Sequence, residues 1–221
     1  MKSQNRPIWY TPPLIMDGVR LFARAASRVL WRVRWLGTEN VKHLPKGGLL
    51  IVSNHQTYID PFWICSPLKR KFRFMAWDKS FSWPIVGPII KFLGSFPVNT
   101  ASGRTKDALR EALDALRDGA TLLIFPEGIR VFPDGTLNEF KSGAVRIALA
   151  ADVPILPVTV RGAHRVWPQT YKRPHFNRVE IVFHPLIKID KPAGIITREF
   201  LESETARIAS IIGSALPQNE D

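Results

Sequence analysis

Short, unbroken runs of apolar residues alternate along the chain with segments whose apolar residues recur at helical spacing. Residues 49–52 (LLIV) and 121–125 (TLLIF) are two such runs, and glycine or polar residues flank both. This pattern is typical of strands that are buried on both faces in a parallel sheet. Residues 153–160 contain a third run, and residues 178–183 alternate in the manner of an edge strand.

Three segments between and after these runs have the spacing of helices, namely residues 105–116, 141–151 and 197–216. Strands that alternate with helices predict an α/β fold, with a mostly parallel central sheet flanked by helices. We expect residues 1–46 to form a basic amphipathic N-terminal helical segment and residues 47–221 to form the main domain.

The charge of the chain changes this picture, because 31 Lys and Arg against 19 Asp and Glu give a net charge of +12. Such a surface favours anionic partners. Arg20, Arg24, Arg28 and Arg32 recur every four residues and so follow one stripe of the N-terminal helix. A basic amphipathic helix with neighbouring tryptophans is typical of a segment that lies on anionic lipid. The alternative is an ordinary first helix whose arginines are solvated.

Several classes of protein are disfavoured by what the sequence lacks. The single cysteine, Cys65, excludes an intrachain disulfide framework and a cysteine-rich zinc site. No apolar run approaches the ~20 residues of a spanning helix, and the first residues do not resemble a secretory signal. We therefore expect a peripheral or monotopic protein at the cytoplasmic face of the cell membrane. Nucleic acid is a competing anionic partner, but no recognised nucleic-acid motif is present, and we expect none to bind.

Ionisable residues follow the two clearest strands. Asn54, His55 and Asp60 come directly after the first, and Glu127 and Arg130 come after the second. The carboxyl ends of parallel strands are where such sheets bind ligands. A histidine that donates to an aspartate through Nδ1 keeps Nε2 free as a base. The alternative is that Asp60, which precedes a proline, only starts a helix and leaves His55 without a role.

Taken together, these loops resemble the first and third signature blocks of the glycerolipid acyltransferases, and above all of the bacterial 1-acylglycerol-3-phosphate acyltransferases. The first block is Asn54-His55-x4-Asp60, an HX4D motif, and the third is the run FPEGIR at residues 125–130. Residues 91–98 and 153–158 are similar to the second and fourth blocks, in the same order.

The resemblance implies an O-acyltransferase that moves a fatty acyl group from acyl-CoA or acyl carrier protein to the hydroxyl of 1-acylglycerol-3-phosphate, in phospholipid biosynthesis. His55 would be the general base and Asp60 the carboxylate that orients it. No metal or other cofactor is implied. The implied substrate-binding residues are Asn54, Lys91, Arg104, Glu127, Gly128 and Arg130.

Two positions depart from the family pattern. Ile129 stands where the third block usually has threonine, and Thr100 stands where the second block usually has arginine. Arg104 could reach the same phosphate, or Lys91 and Arg130 could bind it alone. The acceptor could therefore be another lysolipid or a lipoamino acid, and a non-catalytic protein that binds anionic lipid is a further alternative.

The segment at residues 72–93 is rich in aromatic and aliphatic residues. It could be core packing, or it could line a tunnel for the fatty acyl chain or dip into the bilayer. The sequence does not decide between acyl-CoA and acyl carrier protein, and it gives neither the acyl-chain length nor the oligomeric state.

Overall fold

Seven strands form one sheet at the centre of the protein. A computed structural model describes residues 10–84, 86–98, 105–128, 135–167 and 173–217. The strands are β1 (Arg34–Leu36), β2 (Leu49–Ser53), β3 (Phe72–Trp77), β4 (Ser95–Val98), β5 (Thr121–Ile124), β6 (Ile155–Arg161) and β7 (Glu180–Phe183). The helices are α1 (Pro13–Trp31), α2 (Asp60–Cys65), α3 (Val86–Phe92), α4 (Thr105–Arg117), α5 (Gly143–Ala151) and α6 (Arg198–Gly213).

The strand order is β1-β7-β6-β2-β5-β3-β4. Within the described ranges, β6 and β7 are the antiparallel pair and the other neighbours are parallel. The expected α/β fold, with a mostly parallel sheet flanked by helices, is confirmed. The prediction that residues 178–183 form an edge strand is wrong, because β7 lies between β6 and β1. The alternation of apolar and polar residues there belongs to a short strand that is second from the edge of the sheet, next to the edge strand β1.

The core occupies both faces of the sheet, as the unbroken apolar runs predict. Successive side chains of a strand point to opposite faces. Leu50 and Val52 therefore pack with α4, α5 and α6. Leu49 and Ile51 pack on the other face with Trp63 and its neighbours in α2. Strand β1 belongs to this sheet although it lies within residues 1–46, so that segment contributes more than a helix to the fold.

Helix α1 turns an apolar face away from the protein. Its most exposed apolar side chains fall within one arc of the helix, as their spacing requires. They are Leu14, Ile15, Leu21, Phe22 and Val29. No helix in the described ranges is both long and apolar enough to cross a membrane.

The arginine stripe of α1 does not form the outward face. Positions four apart rotate by about 40° around a helix of 3.6 residues per turn, so the stripe drifts along the helix. Arg20 lies against the protein, where it bonds to Asp17 at 2.7 Å and stacks on the Phe72 ring. Arg28 has moved to the exposed flank, and Arg32 lies beyond the helix in a left-handed conformation (φ 46°). The expectation that all four arginines form one helical stripe is therefore wrong for Arg32.

Candidate active site

The two strands that precede the ionisable residues are neighbours in the sheet. Val52 of β2 pairs with Ile124 of β5 in a parallel register, so both strands end on the same side of the sheet, at their carboxyl ends. His55 follows β2, and Glu127 follows β5. The sheet thus brings together two loops that are 72 residues apart in sequence.

His55 and Asp60 are in direct contact. The Nδ1–H of His55 donates to Asp60 Oδ2 at 2.9 Å. The His55 side chain keeps 18% of its surface exposed, while that of Asp60 is fully buried. The ring of Phe125 stacks on the imidazole, with 3.9 Å between ring centroids and 14° between planes. These contacts fix both the tautomer and the plane of the ring, and they leave Nε2 available as an acceptor.

Asp60 also closes the loop that carries His55. Its carboxylate accepts the N–H groups of Gln56 at 2.6 Å and Thr57 at 2.8 Å, and the Thr57 hydroxyl at 2.7 Å. Asp60 is the first residue of α2, yet its side chain bonds to the loop and not to the helix that it begins. Asp60 thus both begins α2 and contacts His55, which contradicts the alternative that it only starts a helix.

Glu127 holds the backbone of His55. Its Oε1 accepts the His55 N–H at 2.8 Å, and its Oε2 accepts the Asn138 N–H at 3.3 Å. Its surface is only 3% exposed. Burial raises the pKa of Glu127 to about 7, the two backbone hydrogen bonds oppose this rise, and the negative charge of Asp60 adds to it. Glu127 therefore joins the loop after β2 to two parts of the connection between β5 and α5, through a carboxyl group that titrates near neutral pH.

Asn54 and Gly128 act on the backbone of the site. The buried amide of Asn54 donates to Val160 O and accepts from Val160 N, both at 2.8 Å, so both of its polar atoms bond to the end of β6. Gly128 has a φ of +73°, a left-handed conformation that glycine adopts without strain. It lets the chain turn directly after Glu127.

An apolar cavity of about 620 Å³ is lined in part by His55 and Phe125. Volumes of this order are typical of ligand sites in proteins. The wall consists mainly of apolar side chains from α1, α2, β3 and α3, among them Val19, Ala23, Phe62, Cys65, Phe74, Met75, Ile89 and Ile90. Much of the segment at residues 72–93 thus lines the cavity, which supports the tunnel interpretation over simple core packing.

Aromatic rings surround the cavity beside His55. Tyr58 makes edge contacts with Trp83 at 5.9 Å and with Trp167 at 5.4 Å between ring centroids, and all three residues line the cavity. Such aromatic pairs stabilise one another beyond the area that they bury. This cluster borders the polar edge of the site.

Lys91, Arg104 and Arg130 are the remaining substrate-binding residues that the resemblance implies. Lys91 is exposed in the last turn of α3 and is not among the residues that line the cavity. Arg104 and Arg130 lie outside the described residues, as do Ile129 and Thr100. Among the residues that the structure describes, no group of three His, Cys, Asp or Glu side chains is arranged to hold a metal ion.

Known proteins share both the sequence pattern and the fold. The acyltransferase family model matches residues 32–161. The chain belongs to the acyltransferase family. A 1-acyl-sn-glycerol-3-phosphate acyltransferase of Chlamydomonas reinhardtii is 31% identical over 206 residues, which cover 91% of this chain and 60% of the relative. A chloroplastic enzyme of the same name from Arabidopsis thaliana is 32% identical over 60% of this chain and 38% of its own length.

A solved structure shares the fold of this acyltransferase family member. The crystal structure of the 1-acyl-sn-glycerophosphate acyltransferase of Thermotoga maritima superposes with a TM-score of 0.70 at 26% identity, over 89% of this chain and 77% of that one. The family resemblance inferred from the signature blocks is thereby confirmed. The chain spans 38% and 60% of the lengths of the two curated relatives.

Sequence reasoning missed how this acyltransferase site is held together. The contact of Glu127 with the His55 backbone leaves no trace in residue spacing, because it joins a side chain to a main-chain group of any residue type. The same is true of Asn54 and Val160. The one available signal for the contact of Glu127 with His55 was that each of these two residues closely follows a strand expected to lie in the same sheet.

Proposed function

We propose that the protein transfers a fatty acyl group from a thioester to the free hydroxyl of 1-acylglycerol-3-phosphate, giving phosphatidic acid. The observation that carries this proposal is the 2.9 Å contact between His55 Nδ1 and Asp60 Oδ2, in a site where His55 lines the 620 Å³ apolar cavity. The names of the curated relatives and of the solved structure support the choice of acceptor.

His55 acts as the general base. Its Nε2 removes the proton of the acceptor hydroxyl while the oxygen attacks the thioester carbonyl, and the thiolate then leaves with the same proton. Asp60 holds the correct tautomer and stabilises the imidazolium between these steps. The buried hydrogen bonds around Asp60 keep this geometry fixed before substrate arrives, which favours catalysis.

The apolar cavity receives the acyl chain. Its wall offers aliphatic and aromatic surface directly beside His55, so a chain that lies there presents its carbonyl carbon to the base. The donor is acyl-CoA or acyl carrier protein, both of which deliver the acyl group as a thioester. Both are soluble in the cytosol, which supports a site at the cytoplasmic face.

Contact with the membrane occurs through α1. Its outward apolar side chains, from Leu14 to Val29, suit the acyl region of one leaflet, with Arg28 on the flank near anionic head groups. Val86, Ile89 and Phe92 of α3 are also exposed, and α1 and α3 both line the cavity. Lipid substrates therefore have a short route from the leaflet to His55.

A second candidate function is binding of anionic lipid without catalysis, which the same face of α1 would serve. Within catalysis, the alternative acceptors are another lysolipid or a lipoamino acid, since Thr100 replaces the usual arginine of the second block.

The decisive experiment measures release of free thiol from palmitoyl-CoA, with oleoyl-lysophosphatidate in mixed micelles. His55→Ala is compared with His43→Ala, which removes an exposed histidine that does not line the cavity. We expect acceptor-dependent release in the wild type and in His43→Ala, and a loss of at least about 10³-fold in His55→Ala. Wild-type activity in folded His55→Ala would refute the mechanism. No release from lipid-bound protein with any donor would favour the non-catalytic alternative.

A further inference from the structure

The side chain of Lys141 lies across the turn that follows Glu127. The ammonium group of Lys141 lies beside Gly128: a Cβ atom at that glycine would be 3.1 Å from Lys141 Nζ. The backbone N–H of Lys141 donates to Pro126 O at 3.0 Å. Both the backbone and the charged end of Lys141 therefore adjoin the loop that carries Glu127.

The backbone around Lys141 is well supported. The preceding residue, Phe140, is 8% exposed and packs in the core, and α5 begins two residues after Lys141. Asn138 donates its N–H to the same Glu127 that holds His55. The backbone of Lys141 is thus connected to the Glu127 loop, which in turn holds the backbone of His55.

The charge of Lys141 is available to a ligand. Within the described ranges, no ion pair includes Lys141, whereas Lys71 and Lys188 each face an aspartate. The two carboxylates of the site are already engaged, Asp60 by four donors and Glu127 by two backbone N–H groups. The Lys141 side chain is also exposed at the open edge of the sheet.

We infer that Lys141 binds the phosphate of the acceptor lipid and thereby determines specificity for phosphate-bearing acceptors. This inference rests on the proposed acyl transfer. The hydroxyl and the phosphate of the acceptor are on neighbouring glycerol carbons, so a hydroxyl at His55 Nε2 places the phosphate near the adjoining loop after β5. An ammonium group forms short, charge-assisted hydrogen bonds with phosphate oxygens. Neither Lys141 nor Lys91, the lysine that the family resemblance implies, lines the apolar cavity. Lys91 lies on α3, whereas Lys141 adjoins the loop that carries Glu127.

The test compares Lys141→Gln with Lys141→Arg, which keeps the charge, and with Arg146→Gln, which removes an exposed cation one turn into α5. Binding is measured by equilibrium dialysis with radiolabelled hexanoyl-lysophosphatidate and with monohexanoylglycerol, which lacks the phosphate. Michaelis constants for acceptor and thioester are measured in parallel. Both readouts use the full chain.

We expect Lys141→Gln to raise the Kd and KM of hexanoyl-lysophosphatidate about tenfold, without affecting monohexanoylglycerol or the thioester. Lys141→Arg and Arg146→Gln should stay within about threefold of the wild type. The inference is overturned if Lys141→Gln binds the lysophosphatidate as the wild type does, weakens both ligands equally, or alters only the thioester KM. Binding is measured without turnover, so the two proposals can fail separately. A wild type that binds hexanoyl-lysophosphatidate but releases no thiol would refute the proposed reaction. The ratio of the Kd values of Lys141→Gln and the wild type would still decide on the role of Lys141.

Discussion

At the edge of the sheet, Asp60 and Glu127 together accept six hydrogen bonds from groups of the protein. The cavity that begins beside them is bounded mainly by apolar side chains, which attract one another without a preferred direction. A directional network of buried hydrogen bonds fixes one arrangement of His55, whereas an apolar wall accepts changes of shape at modest cost. Substitutions of similar size should therefore have very different effects in the two regions.

The sharpest test of this contrast is Asp60→Asn, which preserves the volume of the side chain within the hydrogen-bond network around His55. The amide can present an N–H to His55 Nδ1 and so favour the wrong tautomer of the imidazole. We expect kcat to fall about 10³-fold with little change in KM. Steady-state kinetics, together with near-UV circular dichroism to confirm packing, would measure this. A fall of less than tenfold in a folded variant would mean that the network does not control the base.

Glu127→Gln tests the second carboxylate of the same hydrogen-bond network, through the pH dependence of stability. Because burial raises the pKa of Glu127 from 4.5 to about 7 in the folded state, the folded protein holds this proton more tightly than the unfolded chain. Glu127 therefore contributes stability at low pH that is lost as pH rises from about 4.5 to about 7, by at most about 3 kcal/mol.

Glutamine keeps an acceptor for the His55 N–H but does not titrate, so it should remove this pH dependence. Urea unfolding of both proteins at pH 5 and pH 8 would measure the difference. The wild type should lose more stability than Glu127→Gln between these two values. Equal losses in the two proteins would show that Glu127 does not titrate in this range.

The proposed membrane contact of α1 can be tested by substitution of its exposed apolar side chains. Replacing both Leu21 and Phe22 by glutamate removes two exposed apolar side chains, whose burial in lipid is worth roughly 1.5–3 kcal/mol each. We expect flotation with vesicles that contain anionic lipid to fall at least tenfold. Leu109→Glu, an apolar-to-acidic change at an exposed position of α4, is the control and should float normally. If both variants float equally, α1 is not the membrane contact.

The same preparations can be assayed for a DNA mobility shift at the same salt. Flotation without a shift is the expected result, since we expect no binding of nucleic acid. A shift at salt concentrations that permit flotation would contradict this expectation.

The smallest effect is expected inside the cavity. Cys65→Leu adds volume to its wall, and Cys65→Ala is the control that removes volume. We expect Cys65→Leu to lower the ratio of activity with stearoyl-CoA to that with lauroyl-CoA by about tenfold or less, while kcat with the short donor stays near the wild-type value. Competition assays with mixed donors would measure the ratio. An unchanged ratio would place the acyl chain elsewhere.

The same contrast explains what could be predicted from the sequence. The runs at residues 49–52 and 121–125 predict buried parallel strands, because hydrophobic burial is recorded in the order of residues. The proximity of His55 to Glu127 followed from the rule for strand ends. The direction in which α1 faces did not follow, since an amphipathic pattern shows that two faces differ but not which of them meets the protein. Arg20 packs inward because Phe72 and the carbonyl of Arg70 lie opposite it, and only the fold brings those groups there.

The pairing of β2 with β5 also has a consequence for the order of events during folding. The bond between the His55 N–H and Glu127 closes a loop of 72 residues, and contacts of such large sequence separation form slowly because chain entropy must be lost first. A chain in which β5 has not yet paired with β2 lacks the hydrogen bond from the His55 N–H to Glu127, and so does not hold His55 in place. Enzymatic activity during refolding should therefore lag behind the appearance of helical signal, because it requires this long-range closure of the chain.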